Sequence, residues 1–294
     1  MKILGIDIGG TAIKIGLINE HGEILESREI PTLVKEGGEA LINKILKIIG
    51  EYENLDRIGI STAGQVDFLE GKIIFATENI PGWTGMEIKK RIEQIYNLPI
   101  VVENDVNAAS MGEALYGAVI GYKSFLCIAF GTGIGGAIIE NTKIYRGAFG
   151  SAGESGHIIT HGVGRQCNCG GTGCYETYAS TSALVNTAKK ELNIKYMDGK
   201  TIFNLLEEGN ICIKRILHEW LYEIIIGLVS LVHIFNPSLL ILGGGIMVRP
   251  YIVNYIKKNL PKYLMTNNKM VKIVGAKLGN NAGILGVANM AMKK

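Results

Sequence analysis

The sequence has no long apolar run, no block of like charge, no low-complexity tract and no proline- or serine-rich linker, and each absence removes a class of function. Its longest apolar stretch, residues 221–235, is interrupted by Glu223 and His233. It falls short of the roughly 20 residues that cross a bilayer, so a buried core helix is expected there. Residues 3–8 after Met1 read as a strand, too short and wrongly flanked for a secretory signal, which points to a cytoplasmic protein with no membrane partner. A net charge of +3, dispersed along the chain, offers neither a polybasic stripe for nucleic acid nor an acidic tail. A disulfide framework is also missing: the cysteines number five, and three of them crowd together as Cys167, Cys169 and Cys174. That clustering favours metal in a reducing compartment.

What is present is a chain of 294 residues, 47% hydrophobic and 19% charged, enough for two lobes of ordinary size with a large core. Residues 3–8 and 13–18 form an apolar strand, a glycine turn and a second strand, a β-hairpin rather than a strand-to-helix turn. The same pattern returns at residues 125–139, with Leu126 falling on Leu4, Ile128 on Ile6, Phe130 on Ile8 and Gly131 on Gly9. Helices are expected near residues 38–52, 87–96, 105–115, 181–190, 211–235 and 282–292, and short strands at 57–61, 99–102 and 239–242. The expected architecture is α/β and two-lobed, with residues 1–118 and 119–281 as lobes and the helix in 282–294 packing back on the first. Two glycine hairpins would face one another across an interlobe cleft, the natural ligand site.

Glycine runs at Gly9 and Gly10, at Gly131 and Gly133, and at Gly243, Gly244 and Gly245 can bring backbone N–H groups close to an anion. Together they could hold one nucleotide, although any one of them could simply turn the chain. Asp7 at the end of the first strand suits a hydrated Mg²⁺, with Thr11 in the turn and Lys14 downstream; otherwise Asp7 caps the turn and Lys14 is a solvated lysine. Asp105, following Glu103 and Asn104, stands where a strand gives way to a helix. It is placed either to accept a proton from a hydroxyl or merely to cap that helix. His157 with Cys167, Cys169 and Cys174 makes a closed tetrahedral set for structural Zn²⁺, with glycines wrapping the ion and His161 as a spare ligand. A nucleic-acid zinc knuckle would need basic and aromatic surroundings that the segment lacks.

These motifs together resemble the ROK family of bacterial sugar kinases and sugar-responsive repressors. The resemblance covers essentially the whole chain. It rests on residues 7–11, Glu103-Asn104-Asp105, residues 131–133, Glu154-Ser155-Gly156-His157, residues 167–176 and residues 243–245. It implies the actin-like ATPase (ribonuclease H-like) fold, Asp105 as catalytic base, and sugar hydroxyls held by Asn104, Glu154, His157 and Glu176. ATP would sit on the glycine loops, and a homodimer is expected. Asn79, in the segment 79–85 with Trp83, is a further sugar-side candidate, and Trp83 itself could line the sugar or belong to the core. Ser155 departs from the larger apolar residue expected there, which would loosen packing under the pocket. ROK repressors carry a helix-turn-helix domain ahead of the first phosphate loop; here that loop starts at residue 7, so a kinase is expected. The reaction implied is transfer of the γ-phosphoryl of MgATP to O6 of an aldohexose or N-acetylhexosamine. Glucose and N-acetylmannosamine stand first, the latter from the run 61–67. A non-catalytic sugar or ATP sensor and a chaperone-type ATPase are the rival classes, and neither accounts for Asp105 together with the cysteine loop.

Overall fold

The computed structural model describes residues 1–293. The chain divides into two compact units: residues 1–122, 144–152 and those from Lys277 onward form the first, and residues 123–143 and 153–276 form the second. From the N-terminus come β1 (Lys2–Ile8), β2 (Ala12–Asn19), β3 (Ile24–Pro31), α1 (Gly37–Ile49) and β4 (Arg57–Thr62). A small hairpin of β5 (Gln65–Asp67) and β6 (Lys72–Phe75), then α2 (Ile88–Glu93), β7 (Ile100–Asn104) and α3 (Asp105–Tyr116), follow. The first sheet has the order β3-β2-β1-β4-β7. β1 runs antiparallel to β2 and parallel to β4, and β4 is parallel to β7.

The second unit holds β8 (Phe125–Phe130), β9 (Ile134–Glu140) and β10 (Lys143–Ile144). These are followed by α4 (Glu176–Ala179), α5 (Thr181–Leu192), α6 (Gly199–Glu207), α7 (Ile211–Phe235), β11 (Leu239–Gly243), α8 (Pro250–Asn259) and β12 (Lys272–Gly275). Its sheet order is β10-β9-β8-β11-β12, with β8 antiparallel to β9 and parallel to β11. The repeated hairpin of the sequence is thus a repeated sheet. Composition and length would let α7 cross a membrane, yet Ile213, Ile216, Leu217, Trp220, Leu221, Ile224 and Leu228 are buried in this unit's core.

The last helix, α9 (Ala282–Met292), lies on the first sheet, and glycines decide how closely. A Cβ on Gly59 of β4 would fall 2.5 Å from the carbonyl oxygen of Val287, and one on Gly286 would fall 1.7 Å from that of Ala108 in α3. Backbone-to-backbone packing at that range excludes any side chain. Where α3 ends, the buried Glu113 accepts hydrogen bonds from Ala118 N–H on one oxygen and from Lys277 and Leu278 N–H on the other. Glu113→Ala would strand three backbone donors, each worth about 1–3 kcal/mol when left unmade. The expected loss of stability is therefore about 3 kcal/mol or more, checked by urea unfolding.

Two local expectations shift. The helix over 87–96 is confined to Ile88–Glu93, and the strand over 99–102 extends to Asn104, so the Glu103-Asn104-Asp105 run begins inside the sheet.

Candidate active site and metal cluster

The end of β7 gives three consecutive residues three different surroundings. Glu103 is buried and takes a forked ion pair from Arg146, with Asn107 Nδ2 donating to the same carboxylate. Asn104, extended at φ −62° and ψ 144°, is the N-cap of α3: its Oδ1 accepts from Val106 and Asn107 N–H. Its Nδ2 donates to Gly64 O and to Asp105 Oδ1, which also accepts from Val106 N–H. Helix capping thus falls to Asn104, whose amide fixes the turn, and the Asp105 carboxylate is oriented by it.

In the first glycine hairpin, Gly9 N–H donates to Ala12 O, and Thr32 Oγ1 donates to Gly9 O. Asp7 is 9% exposed; Ser61 Oγ donates to its Oδ1 at 2.7 Å, and Lys14 Nζ lies 3.4 Å from its Oδ2. Lys14 is therefore the partner of Asp7, not a lysine pointing into solvent. Gly283 makes room beside them, since a Cβ there would approach the Asp7 carboxyl carbon to 2.8 Å. Asn79 is exposed in the turn after β6. Trp83 is wholly buried and donates from Nε1 to Thr62 Oγ1, so it belongs to the core and not to a sugar-facing loop.

In the second unit the other two glycine loops come together. Gly131, Thr132 and Gly245 line a cavity of about 640 Å³ with Lys189, Lys200 and Arg249, a volume suited to a nucleotide-sized ligand. The Arg249 guanidinium stacks 3.9 Å from the Phe203 ring centre in the same wall. Gly244 adopts φ 95°, and a Cβ there would meet the Phe130 carbonyl at 2.1 Å, which ties the ends of β11 and β8.

His157, Cys167, Cys169 and Cys174 place their donor atoms within 4.8 Å of one another. Gly170 and Gly173 turn the loop at φ 91° and 78°; Cys167 N–H donates to Gly171 O, and Gly171 N–H to Cys169 Sγ. That last bond holds the Cys169 thiol below its ordinary range, while burial pushes Cys167 and Cys174 up. Three thiols and an imidazole at this separation fit a single tetrahedral metal ion, whose charge would deprotonate thiols that burial otherwise keeps neutral. His161 is not among them. It stacks on Tyr178 at 3.8 Å and lies 3.6 Å from Glu223, whose carboxyl burial pushes up.

The cluster also gathers the carboxylates expected to face a sugar. Glu176 Oε1 accepts from Cys167 Sγ at 3.1 Å and lies 3.8 Å from His157 Nδ1, while Glu154 Oε2 lies 3.8 Å from His157 Nε2. Glu176 Oε2 reaches the second hairpin, accepting from Ile134 N–H at 3.3 Å. Ser155, expected to leave packing loose, is 4% exposed against Gly136, where its small side chain fits two crossing backbones. Reading the sequence missed Ser61, Glu113 and Arg146. Only Ser61 carried a signal, its place at the end of a strand beside the first hairpin.

Comparison with known proteins came out consistently. The model of the ROK family matches residues 3–294. Glucokinase of Streptomyces coelicolor is 34% identical, covering 98% of this chain and 96% of that protein. The crystal structure of a ROK family glucokinase from Streptomyces griseus, in complex with glucose and AMPPNP, has a TM-score of 0.90 at 33% identity and full coverage of both chains. A Listeria monocytogenes structure described as that of a candidate N-acetylmannosamine kinase has a TM-score of 0.90 at 27% identity, covering 100% of this chain and 99% of that one.

Proposed function

This chain belongs to the ROK family, and on that premise we propose that it transfers the γ-phosphoryl group of MgATP to the 6-hydroxyl of a hexose or N-acetylhexosamine, with glucose and N-acetylmannosamine the first candidates. The observation that carries this reading is the division of labour at the end of β7. Asn104 caps α3, and Asp105 is held by Asn104 as a carboxylate at a strand terminus. A carboxylate so placed accepts the proton of the attacking hydroxyl, and phosphoryl transfer asks little more than that orientation and neutralised charge.

The remaining residues take roles that suit this chemistry. Asn104, Glu154, His157 and Glu176 bind sugar hydroxyls, with Asn79 a further candidate. The cavity wall at residues 131–133 and 243–245 takes the nucleotide, the hairpin turn at Gly9, Gly10 and Thr11 faces the phosphates with the N–H groups of Gly10 and Thr11 while that of Gly9 closes the turn on Ala12 O, and Asp7 with Lys14 serves Mg²⁺ and phosphate. Zn²⁺ on His157, Cys167, Cys169 and Cys174 would supply rigidity: a locked imidazole and loop present Glu154 and Glu176 in fixed positions. By resemblance to its family the working form is a cytoplasmic homodimer.

A coupled ADP-release assay with MgATP and glucose, N-acetylmannosamine, N-acetylglucosamine, fructose or a β-glucoside tests the reading. Turnover is expected on one sugar well above the others, because a single buried hydrogen bond separates epimers and N-acetyl derivatives strongly. Sugar-induced thermal stabilisation without turnover on any of them would replace the kinase with a sugar sensor.

A further inference from the structure

Glu103 has no task in that chemistry, yet it is the most fully engaged acid near the proposed base. It is 1% exposed, and both its oxygens are held by the Arg146 fork, Oε1 also accepting from Asn107 Nδ2 and Asn104 N–H. The face of the Arg146 guanidinium lies 4.0 Å from the centre of the Phe68 ring. Arg146 comes from the segment 144–152, which starts on the last residue of β10 and packs in the first unit. Farther along this arm, Ser151 Oγ donates to Gln65 Oε1, one residue beyond the Gly64 carbonyl that receives Asn104 Nδ2. Gly147 and Gly150, at φ 68° and 81°, turn the chain between the two anchors, and the arm leads directly to Glu154.

A buried ion pair adds little stability over a well-packed apolar pair, so its presence calls for another reason. What a guanidinium fork supplies that a hydrophobic contact does not is a fixed direction, since two parallel N–H···O bonds leave the carboxylate one orientation. Here the oriented carboxylate bonds the backbone N–H of Asn104, the residue that orients Asp105. We infer that Glu103 and Arg146 are positioning residues for sugar phosphorylation: the clamp fixes the presentation of the base. The inference rests on the sugar-kinase reading.

The test uses the whole protein with four variants, Arg146→Lys, Arg146→Met, Glu103→Gln and the double Glu103→Gln/Arg146→Met. Arg146→Met alone leaves the buried Glu103 carboxylate without its partner and can fail to fold; the double variant removes both charges at similar volume and should keep its thermal midpoint. The folded double variant is expected to lose kcat and gain sugar KM by at least about tenfold each, with the KM for ATP within about twofold of wild type. Arg146→Lys keeps the charge but not the fork, and should recover stability without recovering the sugar KM. A clamp of purely structural importance would leave the sugar and ATP constants of the folded double variant within about twofold of wild type, and that result overturns the inference. Calorimetric titration of the sugar gives the same readout if the wild type binds a sugar without turnover, which would remove only the kinase reading. A wild type that neither binds nor phosphorylates any sugar overturns both.

Discussion

Asp105→Ala should lower kcat for sugar phosphorylation by about 10²–10⁴, the range a positioned general base contributes, while leaving the KM for ATP nearly unchanged. The structure lets this effect be separated from damage to the fold. Asn104, not Asp105, caps α3, and its bonds to Val106 and Asn107 N–H survive the substitution. Asp105 Oδ1 does accept from Val106 N–H and Asn104 Nδ2, so a stability loss of about 1–3 kcal/mol is expected alongside the kinetic effect. Asp105→Asn keeps the shape and hydrogen-bonding capacity but not the basicity, and should be nearly as slow as Asp105→Ala. Steady-state kinetics with thermal melts of all three proteins decide the matter. A loss of kcat below about tenfold in a folded Asp105→Asn protein would remove Asp105 from the role of base.

The fold class and the family could be read from the sequence because both rest on local pattern. Hairpins at residues 3–18 and 125–139 announce themselves through apolar strands on either side of glycines, and the two sheets repeat the same order. The cysteine loop is likewise local: Cys167, Cys169 and Cys174 lie within eight positions, and glycines at positive φ can be foreseen between them. What escaped depends on chain crossings. Ser61 meets Asp7 across 54 positions and Arg146 meets Glu103 across 43, and no periodicity predicts which strand end lies beside which. Trp83 was ambiguous because an indole beside glycines suits a sugar face or a core equally; the hydroxyl of Thr62, supplied by β4, decided for the core. Asn104 and Asp105 are both good caps by composition, and only the extended backbone at Asn104 assigned the duty.

Metal removal is expected to strike the sugar side and spare the nucleotide side. Without an ion, the thiols of Cys167 and Cys174 are raised by burial and stay protonated, and the Cys167 thiol donates to Glu176 Oε1. A thiolate at Cys167 has no proton to give, so ligation frees that oxygen for a sugar hydroxyl as it locks His157 beside Glu154. Because the thiols must lose protons to bind the ion, metal affinity should fall as pH falls. The protein as isolated should contain one zinc per chain. Exhaustive chelation should weaken sugar affinity by about 10–100-fold, the usual cost of disturbing the groups around a metal, and lower the thermal midpoint by about 10 °C. The Arg249–Phe203 wall and the cavity beside it draw on none of the four ligands, so nucleotide affinity should change by less than about twofold. Cys169→Ser should reproduce the chelated state without any chelator. Metal analysis that finds no zinc, together with a sugar affinity indifferent to chelation, would detach the cysteine cluster from the sugar site altogether.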